Sequence, residues 1–160
     1  MKRIWRTRLI LWHSKHELTH LIIGVGWTFL LIKYLGFTRY PTMYLALFGS
    51  LLPDIEHVYH IFVGSRKTQY SVTVRNYLRK RQLASIAKLM ETNHKGIYLP
   101  LHNVFWMLGL TLLAFVMWYS DHYSLMIVIS SMVLHYAFDL VDDIYKLRRF
   151  NPNWFRRRFL

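Results

Sequence analysis

The chain has no cysteine among its 160 residues, which excludes both a disulfide framework and any metal site built on thiolates. Acidic residues are scarce as well. Eight Asp and Glu stand against 21 Lys and Arg, and the formal charge of +13 calls for an anionic partner. Nucleic acid, anionic lipid and phosphorylated substrates all meet that demand. No GxGxxG, Walker or other phosphate-loop pattern occurs, and there is no internal repeat or low-complexity run. The opening MKRIWRTR runs into HSKHELTH and not into a small-residue cleavage site, so it does not read as a cleavable signal.

What the chain has in excess is apolar surface. Hydrophobic residues make up 54% and aromatics 17%, both high for a soluble domain of this length. Mean hydropathy is only +0.17, so the membrane question is decided segment by segment. Four stretches meet the requirement of about 20 mostly apolar residues for a bilayer span, namely 18–37, 40–63, 97–119 and 123–147. Thr38 and Arg39 link the first two, and SDHY links the last two, so each pair reads as an antiparallel helical hairpin. The expected fold is all-α: one domain over residues 1–147, a polytopic membrane four-helix bundle of two hairpins, with a tail over 148–160.

The basic residues sort by side. Nineteen of the 21 precede the first stretch, lie between the second and third, or stand at or beyond the far end of the fourth; only Lys33 and Arg39 fall towards the other side. The positive-inside rule then expects an inner-membrane protein with both termini and the 64–96 loop in the cytoplasm. Within that loop, Val74 to Met90 sets Val74, Tyr77, Leu78, Ile86, Leu89 and Met90 at near-helical spacing among Arg and Lys. This fits a basic amphipathic helix on an anionic leaflet, or a solvated helix packed on the bundle end. The tail RRFNPNWFRRRFL, with Trp154, Phe155 and Phe159, has an interfacial composition. Anionic membrane lipids are the partners these charges favour. Nucleic acid is disfavoured, because no recognised binding module accompanies them.

Ionisable residues inside apolar helices are costly unless paired or bound, and here they converge. Tyr40 to Leu52 carries no charge, yet LLPDIEHVYH then brings Asp54, Glu56, His57 and His60 within a few positions. In a four-span topology His16 and His20, Asp54 to His57, His94 and His102, and His135 to Asp143 all come to the cytoplasmic level. His16 and His20, like His135 and Asp139, are four apart, and Asp54 and His57 are three apart. At such spacings one helix face offers two ligands to one centre. Imidazole and carboxylate suit Zn²⁺ first, with Mn²⁺ or Fe²⁺ as alternatives, as one ion or as a pair sharing a bridging Asp. His13, His60 and His122 read as interfacial or solvated, and Asp142 and Asp143 have Arg148 and Arg149 nearby as alternative partners.

HELTH at His16–His20, LLPDIEH, HKGI from His94 and the late LHYAFDLVDD together resemble the YdjM-like family of small inner-membrane proteins, described as metal-dependent hydrolases. Its pattern runs HxxTH, PDxDH, HRGxTHS and SHxxxD, and the match covers His16 to Asp143 in order. The resemblance implies a metal-linked set of His16, His20, Asp54, His57, His94, His135 and Asp139. Glu56 replaces the family's second Asp and Lys95 its Arg. Leu99 stands where the pattern has a second His, and His102 can substitute if Pro100 alters the start of the helix.

The expected activity is a membrane-embedded, metal-dependent hydrolase that turns activated water on a lipid or lipid-linked phosphoester at the cytoplasmic leaflet. Glu56 or Asp143 is the expected general base, and Lys95 the group that holds a phosphate. Two alternatives stand beside it. One is a non-catalytic membrane metal-binding or interaction protein, a degenerate hydrolase. The other is a haem-binding redox module with His20, His57, His102 and His135 as axial ligands, against which the crowded carboxylates argue.

Overall fold

Gly36, at φ +70, ends the long first helix in the left-handed conformation that glycine adopts without strain. In this computed structural model residues 2–92, 97 and 99–155 are described, with the side chains of 2–17, 87 and 90–92 outside the description. All regular structure among the described residues is helical. The helices are α1 (Lys2–Leu35), α2 (Arg39–Leu51), α3 (Ile55–Tyr59), α4 (Gln69–Arg79), α5 (Leu83–Thr92), α6 (Val104–Tyr119) and α7 (Tyr123–Leu147).

The four expected spans form only in part. Among the described residues two stretches are long and apolar enough to cross a membrane, Leu18–Leu35 of α1 and Tyr123–Leu147, the whole of α7. Residues 40–63 instead follow a helical path with three changes of hydrogen-bond register: α2, a 3₁₀ turn over Leu52–Asp54, α3, and a wide π turn over His60–Gly64. Pro53 causes the first change, since it has no N–H to give the preceding turn. The third expected span starts late. Residues 99–103 form turns, Asn103 caps α6 by accepting the Trp106 N–H at 2.8 Å, and α6 has 16 residues. At 1.5 Å per residue that is about 24 Å, short of a hydrocarbon core of about 30 Å.

α2 and α7 are the central pair. α1 packs on α2, α2 on α7 and α6 on α7, while α1 touches α7 more lightly. Small and hydroxylic residues fill the contacts: Gly24, Ala46, Gly49, Ser50 and Ser131 are buried. At Gly49 a Cβ would lie 2.4 Å from the Val128 carbonyl oxygen, so glycine sets how closely α2 approaches α7. The outward faces are the reverse, with Phe29 61%, Leu112 67% and Phe115 67% exposed. A soluble core sorts these residues the other way. Close packing through small residues with large apolar ones outside is the pattern of helices associating in lipid.

The basic middle segment is not the single helix expected over Val74–Met90. Arg81, at φ 53, breaks it into α4 and α5. Val74 and Ile86 then bury against Ile61 of the π turn, with Tyr70, Tyr77 and Leu89 around them. The apolar stripe of this pair therefore packs on the end of the bundle. The tail differs from expectation too. Trp154, expected at an interface, is only 3% exposed and packs in a cluster with Leu110 and Tyr136.

Candidate metal centre

The Pro53 turn aims two side chains inward and leaves a backbone acceptor for a third. With the helix tightened there, the carbonyl oxygen of Ser50 lies 2.6 Å from His135 Nδ1. A carbonyl only accepts, so Nδ1 carries the hydrogen, and the lone pair of the neutral ring sits on Nε2. His102 is set the same way. Its Nδ1 lies 2.7 Å from Glu56 Oε2, which again leaves Nε2 to face the centre. Both Nε2 atoms are buried and lack a hydrogen-bond partner among the described residues.

Asp139 faces these rings. Its Oδ2 lies 3.1 Å from His135 Nε2 and 3.5 Å from His102 Nε2, and its Oδ1 lies 3.4 Å from His20 Nε2. Asp54 Oδ1 is 3.8 Å from His135 Nε2 and 3.8 Å from His57 Nε2. Two groups of potential ligand atoms result, one from His20, Asp54 and His135, the other from His102, His135 and Asp139. Tetrahedral zinc with bonds of about 2.0–2.1 Å sets its ligand atoms roughly 3.3 Å apart. The three contacts of Asp139 bracket that spacing. The rings of His20 and His135 stack at 3.8 Å, and both side chains are fully buried.

Of the residues singled out in the sequence, His20, Asp54, His57, His102, His135 and Asp139 come together. His16 lies on α1 with its side chain outside the description, and His94 and Lys95 lie outside the described residues. Leu99, in the place of the family's second His, is buried. His102 reaches the centre from the turn before α6, whose Asn103 Nδ2 donates to the Pro100 carbonyl. His122 is exposed at the opposite end of α7 from the centre.

Glu56 and Asp143, the expected general bases, both make hydrogen bonds within the protein. Both oxygens of Glu56 are engaged, Oε2 with His102 and Oε1 accepting the Leu101 N–H at 2.8 Å. Asp143 Oδ2 accepts from Asn151 Nδ2 at 2.9 Å and Trp154 Nε1 at 3.0 Å, which straps the residues after α7 back onto it. Arg148, left-handed at φ 54, makes the reversal. Two contributors were not visible in the sequence. Ser50 acts through a backbone carbonyl, for which Pro53 three residues later was the signal. Trp154 lies 6.2 Å, ring to ring, from His102, and nothing in a basic aromatic tail distinguishes it from an interfacial residue.

The fold and this cluster define a class: a helical protein with membrane-crossing segments and a buried imidazole–carboxylate centre. The chain belongs to the YdjM inner membrane protein family, whose model matches residues 16–160. No curated protein and no solved structure matches it.

Proposed function

We propose that the protein is a multi-pass, metal-dependent hydrolase of the inner membrane, acting on a lipid or lipid-linked phosphoester at the cytoplasmic leaflet. The observation that carries this reading is the set of electron-rich atoms around Asp139. Two imidazole lone pairs, fixed in direction by Ser50 and Glu56, converge with a carboxylate at 3.1–3.5 Å. Such a group repels itself unless a cation lies among its members. Stacked His20 and His135 favour a metal over protons in that place, because two imidazolium rings at 3.8 Å repel each other.

Zinc is the preferred ion by donor set, with manganese or iron as alternatives. His20, His102, His135 and Asp139 would hold it, with Asp54 and His57 as further ligands. His135 has one nitrogen left to give, so a second ion would draw on Asp139, Asp54 and His57. A divalent cation supplies Lewis acidity and makes a water it holds more acidic. Asp54, at 22% the most exposed carboxylate of the cluster, would take the water's proton in this reading where it does not itself hold the ion, since both oxygens of Glu56 and Oδ2 of Asp143 are engaged. Lys95, which stands for the Arg of the family pattern, is the residue this reading assigns to the phosphate.

The four-pass arrangement with both termini inside rests on the charge asymmetry. The helical path over 39–64 and the short α6 complete two hairpins around α2 and α7. A second reading, a metal-binding protein without catalysis, is favoured by one feature, Leu99 in place of the family His. Elemental analysis of detergent-purified protein, followed by assays on phospholipid and prenyl-phosphate panels, separates the two. Bound metal with hydrolysis that is lost in Asp54→Ala and His135→Ala supports the enzyme. Bound metal without hydrolysis supports the second reading, and metal-free protein sinks both.

A further inference from the structure

Away from the centre, α1 and α6 both lie against α7 and scarcely touch each other. Between them runs a cleft of about 350 Å³ floored by α7, within the size range of roughly 300–1,000 Å³ for ligand pockets. Trp27 and Leu31 form one wall, Thr111 and Ala114 the other, with Ser130 and Leu134 on the floor. Its hydroxyls are internally satisfied. Ser130 Oγ accepts the Trp27 indole N–H at 2.9 Å, and Thr111 donates to the Met107 carbonyl at 2.9 Å. The cleft thus offers an apolar lining held in place by a hydrogen bond across its floor.

Its position says what covers it. The near end is at Leu134, next to the ligand-bearing His135, and Phe138 one turn on meets the His20 ring edge-on at 5.4 Å. On α1, Trp27 continues the stripe that begins with His20 two turns earlier. From Leu134 the floor runs back to Met126, about 12 Å along the helix, away from the centre and parallel to the membrane-crossing helices. The cleft lies between helices whose outer faces are apolar. An amphiphile in the same leaflet, with its anionic head at the centre, directs its chain along this line.

We infer that the cleft between α1 and α6 holds one acyl chain of a membrane phospholipid whose phosphate head lies at the His–Asp centre. The inference rests on the proposed function for its head-group end and makes the substrate an acyl phospholipid entering laterally. Phe138 stands between chain and centre. Ala114 is the position where the cleft is closed most simply, because a large side chain there fills it from α6.

The test uses full-length protein in nanodiscs containing phosphatidic acid with a diazirine at the distal end of one acyl chain. On irradiation the label is expected on Leu31 and Met126, the buried lining residues, and with the diazirine moved beside the head, on Leu134 and Phe138. Ala114→Trp and Val133→Trp lose the distal label, Leu112→Trp on the outer face keeps it, and elemental analysis of each sample reports whether the centre is intact. Label spread equally over Phe29 and Leu112 in the wild type, meaning surrounding lipid only, overturns the inference without help from any variant. So does a distal label that persists in a filled variant. A disulfide dimer formed by Ala114→Cys, inside the cleft, also overturns it, by giving the cleft to a second copy. Metal and hydrolysis with no cleft label leave the proposed function standing and remove the acyl chain from it. Cleft label with no metal does the reverse.

Discussion

His135 and Ser50 are 85 residues apart in sequence, yet the imidazole Nδ1 of one lies 2.6 Å from the carbonyl oxygen of the other. The contact ties α7 to the last turn of α2 and fixes which ring nitrogen faces the centre. It depends on close helix approach, which Gly49 permits.

Gly49→Leu should therefore damage the centre from outside it. A Cβ at 49 already meets the Val128 carbonyl oxygen at 2.4 Å, so a longer side chain forces α2 from α7. Overpacking of this kind costs about 1–3 kcal/mol. Thermal unfolding in detergent should show the loss together with reduced metal content. Unchanged stability would mean that the two helices are not held at this distance.

Removing a ligand should empty the site without unfolding the protein. Asp139→Ala and His135→Ala are expected to lower metal affinity well beyond the roughly 10–100-fold typical of losing a ligand's supporting partner. Elemental analysis checks the metal, and circular dichroism checks that helicity is kept. Metal retained in both variants would place it elsewhere.

Glu56→Gln distinguishes orientation from base catalysis. If Glu56 orients His102, the neutral amide weakens metal binding by about 10–100-fold, as for other supporting partners, and this is read by chelator competition. A general base would instead lose turnover with metal affinity unchanged, and that result would restore the sequence-based role.

His102→Ala should lose metal, and adding Leu99→His should not bring it back. Leu99 is buried in an apolar position, where a polar ring without a partner costs about 1–3 kcal/mol. Recovery of metal in the double variant would show that the turn at 99–103 can present either residue.

Asp143→Ala should release the strap after α7. Two buried donors, Asn151 Nδ2 and Trp154 Nε1, lose their acceptor, at about 1–3 kcal/mol each. A red shift in tryptophan emission and faster proteolysis near residue 150 would report it. If hydrolysis alone disappears while the emission holds, Asp143 acts in the chemistry and not as an anchor.

Much of the site was legible because its parts sit at helical spacing. His135 and Asp139, and Asp54 and His57, are pairs that one helix face must present together, whatever else the chain does. The all-helical fold followed from apolar run length in the same way. Helix continuity was legible only in part. Pro53 and Pro100 marked where the second and third stretches could break, because proline lacks an N–H, but the 3₁₀ and π turns and the late start of α6 at Val104 came only with the structure.

By itself the sequence determined that there would be apolar helices, a one-sided basic surface, no thiolate chemistry and a set of imidazoles and carboxylates near one level. Those properties depend on composition and on contacts a few residues apart. Only the tertiary structure decided that His102 joins the centre from a turn, that Glu56 and Ser50 fix the ring nitrogens, and that Asp143 and Trp154 belong to a strap. Each is a hydrogen bond or contact between residues far apart in sequence. Such contacts exist only once α2 and α7 have packed, because the geometry of a hydrogen bond is set by where the helices lie and not by the residues' order along the chain.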